Sequence, residues 1–178
     1  LPIIPHWAAQ HKSLLGWLSA GELQTVESSG THSLQPFEST IGGKPKALRI
    51  RRGAGSNQYL WVEYRQPLGY DATFVPTEGY AGALVHFEDP TGGLASNATF
   101  LLDFTSLFTP GNFRDAVLKP GATWSDPYGT LALTVNSATP SELNLTVTYA
   151  PRPQKPLLMA TPGNLQFTYT IGGQAPKA

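Results

Sequence analysis

From Leu23 onward, apolar residues recur in short runs with a period near two, separated by clusters of Gly, Pro, Ser and Asn. "ALRIRR" (47–52), "QYLWVEYR" (58–65), "GALVHF" (82–87), "TFLLDF" (99–104), "TLALTV" (130–135) and "ELNLTVTY" (142–149) each read as a strand. "LQTVES" (23–28) and "THSLQPF" (31–37) flank a Ser-Gly step and predict a hairpin. The intervening "RGAGSN", "DPTGG", "TPGN", "KPGATWSDPYG" and "NSATPS" carry turn chemistry. About eight strands at this spacing predict an all-β fold, a jelly-roll-like β-sandwich, with a closed barrel as the other architecture the spacing allows.

The period differs only at the start. In "PHWAAQHKSLLGWL" (5–18), Trp7, His11, Leu14, Leu15 and Leu18 fall on one face of a helix, with Pro5 suited to its first turn. Gly16 weakens the end of that helix and Gly21 stops it. A single helix with such a stripe must pack on something. Near the other end, "APRPQKP" (150–156) is a stiff, extended connector, and "LQFTYT" (165–170) is a lone strand that cannot fold alone. The organisation read from this is a helical segment 1–21, a β-sandwich 22–149, a Pro-rich linker 150–156, and an extra strand or truncated module 157–178. The 165–170 strand is expected to dock on a sheet edge.

Composition narrows the function classes. Among 178 residues, charged side chains make up only 13 %, and 12 basic residues balance 12 acidic ones, so the basic excess of a nucleic-acid binder is missing. The one basic run, "KPKALRIRR", places Arg49 and Arg51 opposite Leu48 and Ile50, as on a solvated strand edge. No apolar run reaches the roughly 18 residues of a membrane span. The first residues lack the basic and apolar regions of a signal peptide, which leaves export through an excised leader open. With no cysteine there are no disulfides, thiol nucleophiles or Cys-based zinc sites.

Chemistry-bearing motifs are sparse. HExxH, GxSxG, phosphate-loop and dinucleotide signatures are missing from the sequence. His6, His11, His32 and His86 have no ligand spacing, and no serine stands out as a nucleophile. Glu63, Glu78, Glu88, Asp89, Asp103 and Asp115 are enough acids to supply a glycosidase pair, which chance alone also provides. Asp89, Asp115 and Asp126 sit in oxygen-rich turns that suit calcium, although Asp89 and Asp126, each before Pro, also suit simple turn starts. The densest stretch is "YLWVEYRQPLGYD" (59–71). There Leu60, Val62 and Tyr64 share one strand face; Tyr59, Trp61, Glu63 and Arg65 share the other, and Asp71 is placed to return to Arg65. A strand buried on both faces is expected, with ligand binding second. Exposed aromatics (Tyr59, Trp61, Tyr70, Tyr80, Trp124, Tyr128) would instead suit a carbohydrate-binding module of an exported protein.

"HWAAQHKSLLGWL", "YLWVEYRQPLGYD" with "GALVHFEDP", and "DAVLKPGATWSDPYGTLALTV" together resemble the region downstream of the zinc site in gametolysin-like secreted metzincin metallopeptidases. The resemblance spans about residues 6–149. It implies that the "GWL" helix closes a catalytic domain and that a non-catalytic β-rich accessory domain follows. The family's zinc-binding His and Glu residues and its Met-turn methionine have no counterpart here, and Met159 lies beyond the Pro-rich connector. No catalytic residue is therefore carried over. The implied partner is the peptidase catalytic domain of a parent chain, which would hold the zinc, with Trp7, His11, Leu14 and Leu18 as the interdomain helix. Protein or polysaccharide is the further ligand class, and the implied location is extracellular or at the surface of a bacterial cell. "NLQFTYTIGGQAP" is similar to the first strand of BACON-type immunoglobulin-like repeats.

Overall fold

The computed structural model describes residues 7–73, 78–88, 99–105 and 113–150. The predicted strand 165–170, the connector beyond Ala150, Pro5, His6 and Asp89 lie outside the described residues. The fold is all-β, two sheets packed face to face with one N-terminal helix. Helix α1 is Ala9–Leu14, and the strands are β1 Leu23–Val26, β2 Gly30–Leu34, β3 Ala47–Arg51, β4 Tyr59–Tyr64 and β5 Ala83–Glu88. They continue as β6 Thr99–Leu101, β7 Thr123–Ser125, β8 Leu131–Thr139 and β9 Glu142–Tyr149. One sheet has the order β1-β3-β4-β5-β6 and the other β2-β9-β8-β7.

The alternation explains the sandwich. Leu48, Ile50, Leu60, Val62 and Val85 point inward from the first sheet and meet Leu34, Leu133, Val135, Leu143, Leu145 and Val147 from the second in one buried cluster. These side chains are fully buried, each contributing about 1.5–3 kcal/mol of transfer free energy. At one end, Ala83 and Leu118 exchange backbone hydrogen bonds. This needs Gly82, because a Cβ there would stand 2.2 Å from the Leu118 carbonyl oxygen.

Three expectations about the strands change. The hairpin predicted across 23–37 does not form: β1 pairs in parallel with β3, and β2 pairs antiparallel with β9. Gly30 has no positive φ, so no tight hairpin turn is available there. Glu27 instead pairs with Arg51 of the first sheet, while Ser29 Oγ accepts the Tyr149 N–H of the second. The linker thus crosses the sandwich. Second, β3 is no solvated edge, because β1 covers its free side. Arg49 and Arg51 lie on the outer face of an interior strand, opposite buried Leu48 and Ile50. Third, the segment read wholly as a turn, "KPGATWSDPYG", contains β7, whose three residues are too few to display a period. Trp124 there is half-buried and meets Phe104 edge-on.

The helix is shorter than the 5–18 stripe predicts, and its burial is inverted. It ends in a Schellman motif: Gly16 at φ 70° donates to the Ser13 carbonyl, and Trp17 donates to Lys12. Ala9, Gln10 and Lys12 face the sheet, whereas Trp7, Leu14 and Leu15 of the expected buried stripe are exposed and Leu18 is half-buried. The reason lies beneath the helix, in a cluster of charge that recruits its backbone rather than its large side chains.

Candidate functional site

The outer face of β4 builds this cluster. Alternation sends Trp61 and Glu63 away from the core, and Arg65 follows just beyond the strand. Phe37 and Ala9 close over Trp61 and Ala47 in a second apolar cluster. A 3₁₀ turn at Gly69–Thr73 then brings Asp71 back. Glu63, Arg65 and Asp71 end between 1 % and 7 % exposed.

Arg65 is the hub. Its Nε and Nη2 donate to Glu63 Oε1 at 3.1 and 2.8 Å, and its Nη1 donates to both oxygens of Asp71 at 3.0 and 3.2 Å. Nη2 also reaches the Trp7 carbonyl at 2.9 Å. Glu63 Oε2 accepts the Ala9 N–H at 2.6 Å, and His86 Nε2 stands 3.6 Å from Oε1. The guanidinium lies 4.6 Å from the centre of the Phe37 ring, which Lys12 approaches at 4.4 Å while pairing with Glu38. Tyr80 donates its hydroxyl to the Asp71 carbonyl. Such charges persist in a dry setting because each is paired and further hydrogen-bonded.

The electrostatics follow. Burial pushes the Glu63 carboxyl up, but the Arg65 charge, His86 and the Ala9 N–H outweigh it and hold it at about 2 against an ordinary 4.5. Burial likewise opposes the charged form of Arg65, and Glu63 with Asp71 overcomes it, raising its pKa. A depressed carboxylate contributes stability that is complete above its unfolded value and disappears as pH falls toward its folded value. Acid should therefore destabilise the fold between pH 4.5 and about 2, with Glu63 accounting for about 3 kcal/mol of the loss. Stability followed by denaturant melts across that window checks this. In Glu63→Gln the slope should flatten, and an unchanged slope would remove Glu63 as its origin.

The structure brings together Trp61, Glu63, Arg65 and Asp71, and places Tyr59 at the edge of the same apolar cluster. His11 meets the Trp7 ring edge-on. Of the turn acids, Asp126 is buried, takes the fork of Arg52 and accepts the Tyr128 N–H, while Asp115 is buried in a 3₁₀ turn. Among the described residues no three His, Asp or Glu side chains are gathered as metal ligands. Glu88 accepts the Trp61 indole N–H, and Asp103 accepts from Thr105, so both carboxylates have structural partners. Phe37, Lys12–Glu38 and Arg52–Asp126 went unrecognised in the sequence, since the two ion pairs join residues 26 and 74 apart.

Above the charge cluster, Trp7, Leu14, Leu15 and Trp17 are between 48 % and 61 % exposed. The Trp7 and Trp17 rings touch at 6.4 Å between centroids. The result is an apolar surface on and beside a short helix whose start is held from below at the Trp7 carbonyl and the Ala9 N–H. Comparison with family models, curated proteins and solved structures finds no match to the chain.

Proposed function

We propose that this chain is a non-catalytic accessory β-sandwich of a secreted zinc metallopeptidase, which docks on the catalytic domain of its parent protein through α1. The observation that carries it is the inverted burial of the N-terminal segment: four large apolar side chains on and beside α1 face solvent while Glu63 and Arg65 grip the backbone at its start. Contiguous exposed apolar surface of this kind marks interaction sites. A grip on the backbone leaves the side chains free for a partner and anchors the start of the helix, which lowers the entropy cost of docking. The sequence resemblance to the metzincin region supplies the identity of the partner. In this role the domain would help to place protein substrates.

Two measurements test the proposal. The isolated chain should hydrolyse no protein substrate with or without zinc, whereas the parent reading frame should carry an HExxH segment and cleave in a chelator-sensitive way. Zinc-dependent cleavage by the isolated chain would overturn it, as would a parent frame with no such segment. Replacing Leu14 and Trp17 by serine should leave the melting temperature of the sandwich within about 2–4 °C, yet weaken its association with the catalytic domain supplied in trans.

Carbohydrate binding stands second, on Tyr70 and Tyr128, which are 76 % and 86 % exposed. Trp61 is buried and Trp124 half-buried, so the two indoles offer no paired stacking platform. Retention on insoluble polysaccharide that Tyr70→Ala and Tyr128→Ala abolish would move this function to first place.

A further inference from the structure

We infer that Arg49 and Arg51, gathered over Tyr59 on the outer face of the first sheet, form a site for a carboxylate side chain of an acidic polypeptide segment. The site goes beyond the docking role and does not depend on α1. Both arginines project from the same face of β3, two residues apart, and Arg51 stands directly opposite Tyr59 in the β3–β4 register. The Arg49 guanidinium carbon lies 3.6 Å from the centre of the Tyr59 ring, and that of Arg51 lies 5.7 Å from it. One ring thus orients two guanidinium groups.

Arg49 leaves most of its hydrogen-bonding capacity unspent. It gives only its Nε–H to Glu88, at a long 3.4 Å, and its two terminal amino groups have no acceptor among the described residues. Its side chain is 31 % exposed. Glu88 itself is mostly buried and accepts the Trp61 indole N–H. Arg51 pairs through Nη2 with Glu27, which is more than half exposed; its Nε–H is buried and has no acceptor among the described residues. The ligand-facing fork is therefore that of Arg49, with Arg51 adding its charge. A carboxylate meets this geometry well, because the planar fork of arginine presents two parallel donors to two oxygens. Stacking on Tyr59 fixes the plane of the Arg49 fork beforehand, which reduces the entropy lost on binding.

The ring face also separates ligand classes. A sugar needs an open aromatic face, but Arg49 covers that of Tyr59 and Trp61 is buried. A flexible Asp or Glu side chain needs only the fork. The test is fluorescence anisotropy with a labelled octaglutamate peptide at low salt, with octaglutamine and polygalacturonate as competitors. Arg49→Gln should weaken peptide binding about tenfold or more. Arg49→Lys, which keeps the charge but not the fork, should also lose several-fold. Melting curves verify that the variants are folded, and if Arg49→Gln is not, Arg49→Lys and Arg51→Gln carry the comparison. Unchanged affinity in the folded variants, no measurable peptide binding, or stronger competition by polygalacturonate than by unlabelled octaglutamate would each overturn the inference.

Discussion

Arg65→Ala is expected to cost about 3–5 kcal/mol of folding stability, the range for breaking a buried ion pair by removing one partner. Glu63 and Asp71 would remain among the most buried polar groups of the domain, each having lost its contact with Arg65. Glu63 would keep the Ala9 N–H and the nearby His86, but burial would then act on it without Arg65, so its pKa should rise from about 2. The acid transition should accordingly begin at higher pH in the variant. Arg65→Lys should fall between wild type and alanine, since one ammonium cannot serve Glu63, Asp71 and the Trp7 carbonyl together. Denaturant melts of the three proteins at neutral pH decide the matter. A loss under about 1 kcal/mol for Arg65→Ala would be the behaviour of a surface pair and would contradict the burial of the cluster. The same substitution should loosen α1, because Arg65 anchors the peptide just before it. Docking of the helix face would then suffer along with stability.

How much of this was legible in the sequence depended on the range of each interaction. The alternation in β3, β4, β8 and β9 identified strands and core faces directly, because Leu48, Ile50, Leu60, Val62, Leu133, Leu143 and Leu145 follow the pleat. The Arg65–Asp71 contact was also readable, as a turn of six residues closes it. What could not be read was which sheet each strand joins. The segment 23–37 has the composition of a hairpin, yet β2 takes its place beside β9, more than a hundred residues away. The helix misled for a related reason. Its apolar stripe is genuine, but Glu63 and Arg65 bind its backbone, and a backbone amide leaves no mark in a hydrophobic pattern. Alternation puts Arg49 and Arg51 on one face, but it cannot show that β3 is interior, because its further partner is a parallel strand whose register no local signal records.

Trp61→Ala should be the other costly substitution, at about 3–5 kcal/mol. The indole is 4 % exposed and fills the space between β4, Ala47, Phe37 and Ala9, so truncation opens a large cavity under the helix. The cavity is bounded by β-sheet backbone on one side and by a helix pinned to Glu63 on the other, which limits collapse into it. Truncation also removes the indole N–H from Glu88, whose remaining donor from this cluster is Arg49 at 3.4 Å. Trp61→Phe separates the two contributions, since it preserves most of the volume and loses only the hydrogen bond to a charged acceptor. It should cost about 1.5–3 kcal/mol, less than alanine. In Trp61→Ala the helix should exchange its amide protons faster than the β8–β9 pair, because the cavity lies beneath α1 and away from the four-stranded sheet. Equal protection of the helix in wild type and Trp61→Ala, together with a loss below about 1 kcal/mol, would mean that the outer layer contributes little and that the inner cluster alone holds the domain.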